Sequence, residues 1–176
     1  MTTSSLNRRH WLLASLAGLA ALAACKDGPE VALAPAELVP GQSCDLDGML
    51  LSDFAGPKAQ IFFAGDAKPH WYCDTVEMFN TLLRPEQART VRAVFVQDMA
   101  QADWEHPQGH WFDARAGFYV VGSRRHGSMG PTLASFRLEA QARQFAATHG
   151  GRAWSFAEIS PAMVDLCGGA QQDGRM

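Results

Sequence analysis

The chain has 176 residues, of which 47% are hydrophobic and 19% charged, and this suits one modest globular unit or two very small ones rather than a multidomain enzyme. Ten Phe and five Trp supply enough apolar surface for a packed core, which argues against a disordered or collagen-like chain. The formal net charge of −3 gives no basic face for a phosphate backbone, so nucleic-acid binding is not expected.

The first 24 residues have the features of an export signal. Arg8 and Arg9 carry the only charges of this segment, and an apolar run that starts at Trp11 ends in small residues. The run is shorter than the roughly 20 apolar residues that span a bilayer, which indicates a secretory signal. The paired arginines fit either the general or the twin-arginine export route, and both routes stay open.

The apolar run ends at Leu22-Ala23-Ala24-Cys25, which resembles the lipobox of bacterial lipoproteins, where the cysteine receives lipid and becomes the first mature residue. We therefore predict a signal at 1–24 and a lipid anchor on Cys25, on the periplasmic side of a bacterial membrane. The outer membrane is favoured, and the inner membrane stays open. Residues 25–41 contain prolines without helical periodicity and are predicted to be a flexible tether. Because residues 1–24 carry two arginines and no acidic residue, the mature chain has a formal charge of −5.

Beyond the tether, the sequence predicts an α+β fold of two similar small ββαβ units packed together. The first unit covers 42–99, where apolar runs at 59–64 and 92–97 predict strands. Between these runs, apolar residues at helical spacing predict a helix that Asp74 or Thr75 caps.

The second unit, residues 100–160, repeats this order more weakly. Its predicted strands are 111–112, 117–122, 132–136 and 152–156, and its predicted helix is 139–149, which two glycines end. Residues 161–176 are predicted to be a C-terminal tail that begins with a short helix.

Sulfur is the candidate chemistry of the mature chain. Besides the lipidated residue there are three cysteines, an odd number in an oxidising compartment: Cys44, Cys73 and Cys167. Cys44 and Met49 lie five residues apart, and Gly48 between them permits a tight turn, so both sulfurs can face one ion. A thiolate with a thioether is a soft donor pair that selects Cu(I) over hard cations.

Further candidate ligands are less specific. Met129 lies in a polar loop where packing does not need it, and His126 in the same loop is a possible nitrogen donor. Taken without other evidence, Met49 is more often a core residue that fills a gap than a ligand. Cys73 stands at the predicted helix start, where the helix dipole favours a thiolate, but it can also be a buried thiol or half of a disulfide with Cys167. No zinc motif, nucleophile elbow, Walker loop or dinucleotide fingerprint is present in the sequence.

Several sequence blocks in the same order resemble the NosL family, the nitrous oxide reductase accessory lipoproteins. The blocks span about residues 42–157 and are Cys44-x-x-x-Gly48-Met49, Trp71-Tyr72-Cys73-Asp74, His110-Trp111-Phe112-Asp113, Tyr119-Val120-Val121-Gly122 and Met129-Gly130-Pro131. The resemblance implies a Cu(I)-binding periplasmic lipoprotein that works with an ABC-type membrane complex to supply copper to the reductase. Many relatives carry a second cysteine where this chain has Asp47, which shifts the expected ligands here toward Cys44 and methionine.

We therefore predict a lipid-anchored copper chaperone, not an enzyme, that holds one Cu(I) ion per monomer through the thiolate of Cys44 and the thioethers of Met49 and Met129. Its predicted partners are nitrous oxide reductase, the ABC-type maturation complex and, through Cys25, the membrane. The alternative is a scaffold lipoprotein that docks the reductase or transporter without carrying metal. A thiol oxidoreductase using Cys44 or Cys73 ranks third, because no resolving thiol is close in sequence.

Overall fold

A computed structural model describes residues 32–128 and 130–165. Its strands are β1 (Ala59–Phe63), β2 (His70–Tyr72), β3 (Val91–Gln97), β4 (Trp111–Asp113), β5 (Phe118–Val121), β6 (His126–Gly127), β7 (Gly130–Pro131), β8 (Ala134–Phe136) and β9 (Arg152–Ser155). Its α-helices are α1 (Thr75–Leu83) and α2 (Glu139–His149). The predicted signal at 1–24, Cys25, Met129 and Cys167 lie outside the described residues. Among the helices that are described, none is both long enough and apolar enough to cross a membrane.

The first sheet is antiparallel, with the strand order β2-β1-β3-β4. Its central strand β1 is buried on both faces: Ile61 lies in the core that also contains Phe79 of α1, while Phe62 belongs to a second cluster. Helix α1 begins after Asp74, whose side chain accepts a hydrogen bond from the Val76 N–H (2.9 Å), so the predicted N-cap is confirmed.

The second sheet is antiparallel with the strand order β8-β5-β9, and α2 connects β8 to β9. This order matches β2-β1-β3 of the first sheet, where α1 connects β2 to β3. The predicted pair of ββαβ units and the mixed α+β class are therefore confirmed. A short β6–β7 hairpin (126–131) lies between β5 and β8 in the chain.

The division between the units differs from the prediction. Trp111 and Phe112, predicted as part of the second unit, form β4 and pair with β3 of the first sheet, with Phe112 opposite Val96. The two sheets also share a core, in which the Phe79 ring of α1 contacts the Tyr119 ring of β5 at a centroid distance of 4.8 Å. The described residues from 33 onward accordingly form one compact unit.

Part of the predicted tether packs against the fold. The Gln60 side chain of β1 accepts from the Ala36 N–H (2.9 Å) and donates to the Ala36 carbonyl (2.8 Å). Leu33 and Leu38 pack against the second cluster, on the face of the first sheet that carries Phe62. The apolar residues between the prolines are thus contact residues rather than free spacer. The predicted short helix near the C-terminus is a 3-10 turn, Pro161–Met163.

Candidate metal centre

The segment around Cys44 forms a closed turn. The Cys44 N–H donates to the Met49 carbonyl (2.8 Å), and the Gly48 N–H donates to the Cys44 carbonyl (3.0 Å). Gly48 has a φ of +78°, a value that residues with a side chain rarely adopt. Ser43 and Leu50 pair on either side of this turn. The tight turn predicted from the glycine is therefore present.

Hydrogen bonds to β2 fix the position of this turn. The Asp45 N–H donates to the Trp71 carbonyl (2.8 Å), and the Asp45 carboxylate accepts from the Trp71 N–H (2.6 Å). Because β2 ends at Tyr72, this pairing brings Cys44 beside Cys73, the first residue after the strand. Two cysteines from distant parts of the chain thus meet at the β2–α1 junction.

A buried carboxylate completes the site. Glu77 lies in the first turn of α1, and its Oε2 accepts hydrogen bonds from Cys44 Sγ (3.3 Å) and from Cys73 Sγ (3.3 Å). Cys44, Cys73 and Glu77 are 3%, 0% and 1% exposed. With the exposed Asp47, they place four possible donor atoms within 4.8 Å of one another, which is compatible with one bound ion.

The predicted ligands have different outcomes. Cys44 lies in this group, and Met49 packs against the apolar cluster that contains both cysteines. Met129 lies outside the described residues, so its role stays a prediction. The group of donor atoms does not include His126, while Cys73, which the sequence left open as a buried thiol or a disulfide partner, is a free thiol within it.

Glu77 and Asp47 were missed as possible donors. One signal for Glu77 was available in the sequence: this acidic residue falls in the first turn of the predicted helix, close to the cysteine that precedes the N-cap. In the structure, the carboxylate of Glu77 reaches both thiols.

The two thiols differ in acidity. A hydrogen bond from the Cys73 thiol lowers the pKa of Cys44, against the opposing effect of burial. The same hydrogen bond, in which Cys73 keeps its proton, raises the pKa of Cys73, and burial raises it further. Burial also raises the pKa of Glu77. Cys44 is therefore the first of the two thiols to become a thiolate.

A buried cation lies beneath this junction. Lys58 is 0% exposed, and burial lowers its pKa to about 8. Its three N–H groups are shared among four carbonyl oxygens, those of Phe54 (2.7 Å), Ala55 (3.1 Å), Gly56 (3.1 Å) and Cys73 (3.2 Å). The ammonium group is thus fully hydrogen-bonded, and its charge partly offsets the negative charge of a thiolate site.

The chain is similar to proteins of one family over most of its length. The NosL family model matches residues 35–164. The copper-binding lipoprotein NosL of Stutzerimonas stutzeri is 37% identical over 156 residues, which cover 87% of this chain and 81% of the relative. The protein of the same name from Achromobacter cycloclastes is 36% identical over 155 residues, covering 84% and 79%.

A solved structure agrees with this relationship. The crystal structure of the copper chaperone NosL from Shewanella denitrificans matches with a TM-score of 0.70 at 34% identity, over 77% of this chain and 99% of that chain. These names describe copper binding and chaperoning, in agreement with the expectation that the chain is not an enzyme. The extent of the matches shows that the chain belongs to the NosL family.

Proposed function

We propose that this protein is a periplasmic, lipid-anchored metallochaperone that binds Cu(I) and supplies copper for the maturation of nitrous oxide reductase. The observation that carries the proposal is the meeting of two buried free thiols, Cys44 and Cys73, on one carboxylate at the β2–α1 junction. The copper-binding relatives support the choice of metal, and the predicted lipobox at Cys25 supports the anchor.

The donor set fits Cu(I) as the cargo. Thiolates are soft ligands that favour Cu(I) over Mg²⁺ or Ca²⁺, and the apolar cluster around the cysteines excludes water. Two thiolates around a monovalent ion leave one net negative charge, to which the Glu77 carboxylate adds. The buried Lys58 ammonium offsets part of this charge. Met49 is placed at the edge of the same cluster, where a thioether can add a neutral soft donor.

The site also suits release of its ion. Cys44 belongs to a turn whose residues from Asp45 to Gly48 are exposed, whereas Cys73 is 0% exposed. An acceptor can therefore approach from the side of the turn and exchange ligands with Cys44 first. A closed site of four buried thiolates would offer no such approach.

Anaerobic titration of the full chain with Cu(I), in competition with a Cu(I) chelator, tests metal binding. We expect one ion per chain, with weak competition from Zn²⁺ because thioether sulfur suits Cu(I) better. In the copper-loaded protein Cys44 should resist alkylation, since the metal occupies the thiolate lone pairs, whereas the apo protein should react. Equal labelling of both forms would remove Cys44 from the site.

The partners and the anchor need separate tests. We expect copper-loaded protein to restore copper to apo nitrous oxide reductase when the ABC-type maturation complex is present. Pull-down of that complex by the Cys44→Ser variant, together with full rescue of reductase copper content, would favour a scaffold lipoprotein instead.

Cys25→Ser should abolish lipid modification, so the variant should no longer fractionate with the membrane. Normal membrane fractionation of this variant would contradict the anchor.

A further inference from the structure

One buried carboxylate joins α1 to the β6–β7 hairpin, although these segments are far apart in the sequence. Asp74 is 1% exposed, and its Oδ1 accepts from the Val76 N–H (2.9 Å) and the Thr132 hydroxyl (2.5 Å). Its Oδ2 accepts from the Ser128 N–H (3.2 Å). A helix N-cap needs only the first of these bonds, so the other two hold the hairpin at Ser128 and the residue directly after it at Thr132.

The hairpin fits directly onto this carboxylate. A Cβ atom added to Gly127 would lie 2.0 Å from Asp74 Oδ2 and 2.9 Å from Thr132 Cβ, so no side chain larger than hydrogen fits there. The next residue, Ser128, has its hydroxyl oxygen 3.1 Å from Cys73 Sγ. The hydrogen bond between the hairpin and Asp74 therefore determines whether the Ser128 hydroxyl lies against Cys73.

We propose that Asp74 is a positioning residue of the metal site, which holds the β6–β7 hairpin over Cys73 through the Ser128 N–H. The proposal rests on the proposed function insofar as Cys73 binds copper. With the hairpin seated, the Ser128 hydroxyl oxygen lies 3.1 Å from Cys73 Sγ, within hydrogen-bond distance of the sulfur. The hairpin thus shields Cys73 and places a polar group against its sulfur.

Asp74→Asn separates this role from helix capping. Asparagine caps a helix as well as aspartate does, so the bond to Val76 N–H is kept, but its amide NH₂ cannot accept from the Ser128 N–H. In the apo protein we expect iodoacetamide to label Cys73 about tenfold faster, as for one lost charged hydrogen bond, and Cys44 at an unchanged rate. Asp113→Asn is the matched control, because Asp113 also caps a short helix through Arg115 N–H (3.0 Å) and does not belong to the site.

Gly127→Ala provides a second variant that displaces the hairpin by steric contact. It should raise the labelling rate of Cys73 in the same selective way, and both variants should lower Cu(I) affinity in chelator competition. Unchanged Cys73 labelling in both variants, or equal acceleration of Cys44 and Cys73, would overturn the proposal. If the unaltered chain failed to bind Cu(I), the proposed function would fall, and the labelling ratio of the apo protein would still decide the role of Asp74.

Discussion

The two ββαβ units have the same strand order but different residues where the second strand passes into the helix. In the first unit Cys73 precedes the helix N-cap, and Glu77 occupies its first turn. In the second unit Arg137 and Gln141 hold the corresponding positions before and within α2. Cys73 and Glu77 face Cys44, whereas Arg137 donates to the Trp111 carbonyl (3.0 Å).

The N-cap residues differ in the same way. Asp74 is buried and its side chain accepts hydrogen bonds from Val76, Ser128 and Thr132, while Leu138 is 56% exposed and makes no side-chain cap bond. The Arg137 guanidinium also lies over the Phe112 ring, 5.1 Å from its centroid. One junction thus carries the candidate metal site, and the other ties the two sheets together. Topology supplies two equivalent places, and the side chains decide which of them offers donor atoms for an ion.

The largest effect is expected where the units share a core. Phe79→Ala removes a ring that is 1% exposed and contacts Tyr119, so it should lower the free energy of unfolding by about 3–5 kcal/mol. Urea unfolding followed by circular dichroism and tryptophan fluorescence should show one coincident transition. Leu138→Ala is the exposed control, with a change within about 0.5 kcal/mol. Two separate transitions would mean that the units are stable independently.

The next effect is a difference in Cu(I) affinity between substitutions at the β2–α1 junction and at the β8–α2 junction. Cys44→Ser should weaken Cu(I) binding most, because it removes the thiolate that forms first. The loss of affinity should be more than about 100-fold, which is larger than the loss typical of residues that only orient the ligands. Cys73→Ser should follow closely. Arg137→Ser, at the equivalent position, should leave the Cu(I) affinity unchanged in the same chelator competition. A wild-type affinity in either serine variant would exclude that cysteine as a ligand.

Glu77→Gln tests the carboxylate without changing its volume. The amide has one oxygen instead of two and no negative charge, so the Cu(I) affinity should fall about tenfold, as for a group that orients the ligands. The reverse change in the second unit, Gln141→Glu, should create no additional copper site, since that junction lacks thiols. Equal affinity of Glu77→Gln and the unaltered protein would assign Glu77 to helix stability alone.

A smaller effect is expected for the thioethers. Met49→Leu keeps the volume of the side chain and should weaken Cu(I) binding only about two- to fivefold, because a neutral donor is more easily replaced. Met129→Leu should act similarly, and the double variant should show a larger loss than either. Unchanged affinity of the double variant, with the fold intact by circular dichroism, would return both methionines to packing.

The smallest effect is expected on the loss of stability in acid, and substitutions in both units should show it. Hydrogen bonds from Arg89 and His70 lower the pKa of Asp66, and the Ser155 hydroxyl and N–H lower that of Glu158. A carboxyl whose pKa is lower in the folded state stabilises it above the unfolded pKa, and this contribution is lost as the pH falls through the folded value. Asp66→Asn and Glu158→Gln should therefore each reduce the loss of stability in acid, measured by urea unfolding at neutral pH and near pH 3. An unaltered acid slope in both variants would contradict the two shifts.

Local patterns in the sequence were sufficient for most elements of the fold. The bounds of α2 agree with its predicted range, because glycines and apolar spacing mark its ends and its buried face. The sheet to which β4 belongs was not predictable, since strand pairing depends on contacts far along the chain. Cys73 remained ambiguous for the same reason: its contact with Cys44 depends on the hydrogen bonds between Asp45 and Trp71.

The aromatic residues beside the thiols have an optical consequence. Trp71 and Trp111 lie in the same buried cluster as Cys44 and Cys73, with ring centroids 5.8 Å apart, whereas Trp154 lies on β9 of the second sheet. A thiolate or a bound copper ion quenches the emission of a tryptophan only when it lies close to the indole ring. The protein therefore contains a buried tryptophan pair beside its candidate metal site, so that binding of an ion there can be followed by tryptophan emission without a label.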